Sequence, residues 1–384
     1  MATTTIKRRD RYSGSIQKRG DSWRLIYALP PGADGKRKQK TETIRGTKKQ
    51  AGDRLRERLS EIESGGYIVK NSQTVAQFLD HFMQTYVRTN LRPRTEQGYR
   101  YYMRYHIVPT LGGIRLQNLT GQHIQSLHAQ MLEQGLSNRT VLNCHKVLNR
   151  ALVLAVESNL LTQNPAKSAK PPRPKTRSME IWEADTFKAF AVAAKDSPFL
   201  PVYRLAVLTG MRRSELCGLK WDMVDLGAGS LRVSRTLQHI DGQGLVEGEP
   251  KNHSSRRTIS LGSGALEVLR GVRVAQSEKR LSIGKLWRGT GHVFTKGDGS
   301  PISGSRASKS FAKLVKGNGL PHLTFHGLRH TAASLLIAGG VHARTIADIL
   351  GHSSITVTMD TYGHLMPGVQ EDAINVLDGQ LSGS

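Results

Sequence analysis

Residues 324–340 read TFHGLRHTAASLLIAGG, which sets His326, Arg329 and His330 within a turn and a half. Ala332, Leu335 and Leu336 then recur at helical spacing until Gly339-Gly340 stops the run. Cations at the mouth of a buried helix are costly unless they hold something negative. Upstream, TGMRRSEL (209–216) breaks an apolar helix at Thr-Gly and opens another with Arg212 in its first turn. A guanidinium there adds to the positive end of the helix dipole unless an anion is close. Glu215, three residues on, can brace it, so a surface ion pair and an anion clamp are both open readings. Lys251 lies in EPKNHSSRRTI between two strand-like stretches. Near an expected hairpin tip, its ammonium either reaches a ligand or is merely solvated. His352 stands in LGHSS after a short helix carrying Ile346, Ile349 and Leu350, and TYGH with Tyr362 follows ten residues later.

The composition narrows the candidates for that anion. Lys and Arg number 56 against 30 Asp and Glu in 384 residues, a formal charge of +26, and the pI is about 10.4. With 38% hydrophobic residues this describes a folded chain that seeks a polyanion, nucleic acid first. An anionic membrane surface comes second, but the longest apolar run, Ala151–Val156, is far too short to span a bilayer. The start, MATTTIKRRD, has no apolar stretch of a signal peptide. Cys144 and Cys217 lie in helix-like apolar surroundings, so no disulfide framework is expected. An intracellular protein follows.

Three parts must position the reactive residues. In the first seventy residues, 18 Lys and Arg stand against 8 Asp and Glu. Trp23–Tyr27 and Lys36–Ile44 flank the turn-rich PPGADG as a β-hairpin, to which Tyr12–Lys18 adds a third strand. Thr47 and Gln50 then form a capping box before Ala51, Leu55, Leu59 and Ile62 at helical spacing. Residues 1–66 are thus a small basic sheet plus one helix. Residues 72–168 read as an all-α bundle. Its helices follow Thr74 (capping box with Gln77), cover Thr95–Ile107 with a stop before Pro109, and fill Thr120–Leu132 and Asn138–Glu157. Residues 169–177 form a basic, proline-rich linker, because proline denies it both helix and ladder. Residues 178–384 form a mainly α, α+β domain ending in an amphipathic tail segment, Gly368–Leu377. Arg24, Lys36, Arg37, Lys38, Arg94, Arg139, Lys146, Lys170, Arg173 and Lys175 are the cations expected to face DNA.

TGMRRSEL, HGLRHTAAS, LGHSS and TMDTYGHL together resemble the Arg, His-x-x-Arg, His and Tyr boxes of the tyrosine recombinase (phage integrase) family, in order and spacing. The layout is similar to lambda-type integrases, which implies an arm-binding module at 1–66, a core-binding domain at 72–168 and a catalytic domain at 178–384. The resemblance implies a site-specific recombinase of a phage or integrative mobile element, acting through a 3′-phosphotyrosyl intermediate and a Holliday junction. It makes Arg212, Lys251, His326, Arg329, His352 and Tyr362 the catalytic set, with Glu215 in support. The residue types suit these roles. Two always-charged forks, Arg212 and Arg329, clamp non-bridging oxygens. Tyr362 attacks as a phenol, of which roughly one part in a thousand is ionised at neutral pH. His326 accepts or relays the proton, Lys251 protonates the departing 5′-oxygen, and His352 hydrogen-bonds the phosphate. Bond energy is stored in the tyrosyl linkage, so no cofactor, ATP or metal is expected.

His326 and His330 are spaced as zinc ligands on a helix can be, but Gly327 stands where a metalloprotease needs Glu and no third ligand is evident. His330 then reads as a supporting or helix-start contact. A type IB-like topoisomerase shares the nicking chemistry but not the front modules. A non-catalytic DNA-binding regulator has no need of Tyr362. The expected partners are double-stranded DNA with core and arm sites, a homotetramer on DNA built from free monomers, and a host DNA-bending protein and excisionase. The expected setting is the cytoplasm, on the nucleoid of a bacterial host. The tail packs either on its own domain or on a neighbouring protomer.

Overall fold

A computed structural model of the protein describes residues 14–29, 39–63, 71–175, 179–250 and 255–363, and isolated positions within 374–381. The chain falls into two compact units, 1–175 and 176–384. The first holds two separate hydrophobic cores.

Alternation in SWRLIYA buries Leu25 and Tyr27 on one face of the central strand of a small antiparallel sheet, β1 (Gly14–Arg19), β2 (Ser22–Ala28) and β3 (Gln39–Arg45). Thr47 and Gln50 cap each other reciprocally, Thr47 N–H to Gln50 Oε1 at 2.8 Å and Gln50 N–H to Thr47 Oγ1 at 3.3 Å. They launch α1 (Lys48–Glu63), which lays Ala51, Leu55 and Ile62 into the sheet's core. Glu42 on β3 receives Arg54 and Arg58 from that helix at 3.2 and 3.1 Å. Arg24 is half-buried on β2, whereas Lys36, Arg37 and Lys38 lie outside the described residues.

Helices build the second core: α2 (Val75–Phe82), α3 (Arg88–Asn90), α4 (Pro93–Tyr102), α5 (Val108–Leu111), α6 (Gly121–Glu133) and α7 (Asn138–Glu157). The Thr74–Gln77 capping box is present. Two π-helical turns, Met83–Val87 and Met103–Ile107, interrupt this run. The second overturns the expected stop before Pro109. A π turn lets Val108 N–H reach Met103 O, and helical backbone continues through Pro109 to Leu111. The proline is tolerated because it occupies the first turn of the new segment, where its missing N–H is not needed. Arg94, Arg139 and Lys146 are exposed on this unit. The exposed linker residues are tied to its helices, with Lys170 N–H donating to Gln125 Oε1 at 3.0 Å and Asn138 Nδ2 to Arg173 O at 2.9 Å. Lys175 is exposed at the end of the unit.

The second unit packs α8 (Ala184–Ala193), α9 (Leu200–Thr209) and α10 (Arg213–Cys217) with two small sheets. One sheet is β4 (Val224–Asp225), β5 (Ser230–Val233) and β8 (Arg257–Ser260), and the other is the hairpin β6 (Thr236–Ile240) with β7 (Gly244–Gly248). The hairpin tip expected at Lys251 lies outside the described residues. β7 pairs with β6 and β8 with β5, and residues 251–254 are outside the described set. The unit closes with α11 (Ser263–Ile283), α12 (Gly304–Gly317), α13 (Gly327–Ala338), α14 (Ala343–Leu350) and α15 (Ile355–Tyr362). Trp182, Phe190, Tyr203 and Phe311 pack tilted or edge-on at its centre. The expected tail helix at 368–377 lies outside the described residues except at isolated positions. Cys144 and Cys217 are buried free thiols. No helix among the described residues is long and apolar enough to cross a membrane.

Candidate active site

The last turn of an α-helix leaves carbonyls without intrahelical donors, and they carry the negative end of its dipole. At the end of α14 three consecutive carbonyls each meet a different arginine. Ile349 O accepts from Arg257 Nε at 2.5 Å, Leu350 O from Arg329 Nη2 at 2.7 Å, and Gly351 O from Arg212 Nη2 at 3.1 Å. Gly351 makes this possible by capping the helix in the left-handed region at φ 67°. A second glycine acts likewise at the end of α9. Gly210, at φ 62°, turns its carbonyl to Arg329 Nη1 at 2.7 Å. A Cβ there would also strike Leu350 Cδ2 at 2.5 Å.

Glu215 ties two of these arginines together. Its Oε1 accepts from Arg212 Nη1 at 2.7 Å, and its Oε2 takes the Arg212 backbone N–H at 2.9 Å and Arg257 Nη2 at 3.1 Å. Arg212 is therefore the N-cap of α10 rather than a residue of its first turn, and Glu215 satisfies both its N–H and its fork. Burial pushes the Glu215 carboxyl up, but the charges of Arg257 and Arg212 outweigh it and hold the pKa below the ordinary glutamate value. Burial, with Arg212 close by, lowers Arg329 to about 9, so its guanidinium stays charged at neutral pH. Three guanidinium charges against one carboxylate leave this cluster at +2. Carbonyl dipoles orient that charge without cancelling it. The cluster is built to receive an anion, and Arg212, whose side chain is 34% exposed, is its open edge. An open trough of about 730 Å³ runs from Arg257 past Arg232, Arg235 and Arg256.

The phenol sits beside the clamp. Tyr362, at the end of α15, is fully buried against Ala333, Ile346 and Leu350. Its hydroxyl is 2.8 Å from His330 Nδ1, and its ring stacks on His352 with centroids 6.3 Å apart and planes 9° apart. Burial raises the phenol to about 12, against the pull of the Arg329 charge. His352 Nδ1 is paired with Thr358 Oγ1 at 2.8 Å, and burial together with Arg329 and Arg212 lowers its pKa to about 4. His326 stands exposed at the mouth of α13 and meets the edge of His330 at 4.9 Å. Desolvation of its inner side and the neighbouring cations push His326 down to about 4. All three imidazoles are neutral at physiological pH.

The structure thus brings together Arg212, Glu215, His326, Arg329, His352 and Tyr362, while Lys251 lies outside the described residues. It also adds Arg257, which the reading of the sequence did not place in the site, and sets His330 at hydrogen-bond distance from the phenol. Arg257 was visible as a cation in step with inward-facing Ile259 on a two-residue period, the signature of a charge pointed at the core. His330 was read from the sequence as a supporting or helix-start contact, and its pairing with Tyr362 spans 32 residues.

The Phage integrase family signature matches residues 186–367, and the family's N-terminal SAM-like domain matches 74–132. A tyrosine recombinase XerC-like protein of Caldanaerobacter subterraneus subsp. tengcongensis is 30% identical over 350 residues, covering 86% of this chain and 90% of the relative. The chain belongs to the phage integrase family of tyrosine recombinases. An integrase of Streptomyces ambofaciens is also 30% identical, over 97% of both chains. Among solved structures, the Tn1549 transposon integrase in complex with a circular intermediate DNA superposes with a TM-score of 0.66 at 23% identity, over 76% of this chain and 95% of that one. A lambda integrase tetramer bound to a Holliday junction gives 0.59 at 20% identity, over 88% and 92%. This integrase-family enzyme is a tyrosine site-specific recombinase of a mobile element, and its fold is that of the family.

Proposed function

We propose that the +2 cluster binds the scissile phosphodiester of a DNA attachment site and that Tyr362 attacks it. The carrying observation is three arginines fixed on adjacent carbonyls of one helix end, with a phenol packed against that same helix. Arg212 and Arg329 neutralise charge that grows on the non-bridging oxygens as phosphorus becomes pentacoordinate. Glu215 and Arg257 hold them in place, so little reorganisation is needed during the step. His352 hydrogen-bonds the phosphate, its tautomer set by Thr358. The phenolic proton passes to the histidine pair His326–His330, and Lys251 protonates the departing 5′-oxygen. Tyr362 becomes esterified to the 3′-phosphate. The 5′-hydroxyl of a partner duplex then reverses the reaction and exchanges strands through a Holliday junction.

Residues 1–66 serve as the arm-binding module and 72–168 as the core-binding domain. Arg24, Arg94, Arg139, Lys146, Lys170, Arg173 and Lys175 contact the backbone, joined by Lys36, Arg37 and Lys38. A homotetramer assembles on DNA from monomers, assisted by a host DNA-bending protein and an excisionase, at the bacterial nucleoid. The related lambda integrase solved as a tetramer on a Holliday junction supports this assembly. A nicked suicide duplex carrying the element's own site tests the chemistry. Wild type accumulates a covalent protein–DNA adduct at Tyr362, while Tyr362→Phe binds the duplex within twofold and forms none. An adduct in the phenylalanine variant overturns the assignment.

A further inference from the structure

The three histidines around the nucleophile are not equivalent. His352 runs its ring parallel to the phenol with centroids 6.3 Å apart, and its Nδ1 is engaged by Thr358 Oγ1 rather than by the Tyr362 hydroxyl. His326 reaches His330 edge-on and stands in solvent at the helix mouth. His330 is the histidine with a ring nitrogen at hydrogen-bond distance from the reacting atom, 2.8 Å from Tyr362 Oη. Its position follows from the helix. It is one residue past Arg329, whose fork is fixed to Gly210 and Leu350, and three before Ala333, which packs on the Tyr362 ring. The clamp and the acceptor therefore ride on one rigid element.

We propose that His330 is the general base of strand cleavage, its Nδ1 taking the proton of Tyr362 as the phenolic oxygen bonds to phosphorus. The bond from phosphorus to the 5′-oxygen breaks in the same step, and that oxygen takes a proton from the acid assigned to Lys251. In rejoining, the imidazolium returns its proton to the phenolic oxygen as the tyrosyl ester is cleaved. The inference rests on Tyr362 being the nucleophile. With the phenol raised to about 12, only about one tyrosine in 10⁵ is ionised at neutral pH, so attack without an acceptor is slow. Burial and the Arg329 charge lower His330 from its ordinary value, which keeps the ring neutral, and in its Nε2–H tautomer Nδ1 accepts from the phenol. The groups facing it are Arg329 and His326 on its own helix, Tyr362 on α15 and His352 just before that helix. A phosphate seated on the arginines offsets their charge and favours the imidazolium as the step proceeds.

The test is the single-turnover rate of adduct formation on a nicked suicide duplex, followed across pH for wild type, His330→Asn and His326→Gln. Wild type should rise with a single ionisation below the usual histidine range and then level off. His330→Asn should keep target affinity within twofold and slow the adduct about 100-fold. Its rate should keep climbing with pH where wild type is flat, and His326→Gln should retain the wild-type profile shape. Replacing the departing oxygen with sulfur removes the need for an acid. Lys251→Ala should then recover, and His330→Asn should not. An adduct rate for His330→Asn within threefold of wild type, or its rescue by sulfur, overturns the proposal. If the asparagine variant melts early, the wild-type profile decides, since a log rate climbing with unit slope and no plateau also overturns it. Adduct formation by Tyr362→Phe would instead sink the nucleophile assignment, which keeps the two failures apart.

Discussion

The guanidinium cluster and the tyrosine pocket meet on α14 and are held in different ways. Arg212, Arg257 and Arg329 come from three separate elements, and each is pinned by a helix-end carbonyl, with Glu215 joining two of them at 2.7 and 3.1 Å. Tyr362 rides at the end of an eight-residue helix that also exposes Ile355, Val357 and Met359, and its hydroxyl pairs with His330. The anion-binding half is preorganised by electrostatics that cost nothing to rearrange during the reaction. Tyr362 is kept by packing and one hydrogen bond, which leaves it easier to shift. A recombinase that must cut, wait and rejoin needs a fixed phosphate and an adjustable attacker.

The largest effect that would break this contrast comes from Glu215. Glu215→Ala strands Arg257, whose side chain is 7% exposed, as an uncompensated buried charge, at a cost of about 3–5 kcal/mol in unfolding free energy. Chemical denaturation measures it, and a loss below about 1 kcal/mol would mean that the carbonyls alone hold the cluster. The same group sets an acid limit. Its folded pKa is depressed, so its contribution is complete above the ordinary value of 4.5 and is lost as pH falls through the lower folded value. Melting curves of wild type should therefore drop steeply in that acid window, and those of Glu215→Gln should drop less.

Arg257→Lys comes next. Lysine keeps the charge but cannot serve Ile349 O and Glu215 together with a planar fork. Adduct formation should slow about tenfold or more while DNA affinity stays near wild type, which single-turnover cleavage beside a binding titration would show. Thr358→Val is the smallest change and probes the softer half. It removes the partner of His352 Nδ1 and frees the tautomer, so cleavage should fall a few-fold with little change in melting temperature. An equal loss for Thr358→Val and Arg257→Lys would erase the distinction between the two regions.

Much of this was legible before any coordinates. The capping residues Thr47 and Thr74 mark their helix starts, Asn138–Glu157 is a helix from end to end, and the glycine at 210 punctuates where expected. These features are local, and local chemistry is written in adjacent letters. The π turn that carries a helix through Pro109 was not legible, because it depends on one backbone bond slipping by a residue. Nor was the strand pairing around Lys251, since β5–β8 and β6–β7 are partnerships between distant segments. Arg212 bracing against Glu215 was foreseeable at a separation of three, whereas the links of Arg257 to Glu215 and Ile349 span 42 and 92 residues.

Because one helix end serves as the common socket for three arginines, its register matters more than its composition. Each residue turns an α-helix by about 100°, so deleting a single position from α14 would swing every socket away from its guanidinium at once. The number of residues between His342 and His352, more than their identity, sets where these three carbonyls fall. Length, here, is what aims the arginines.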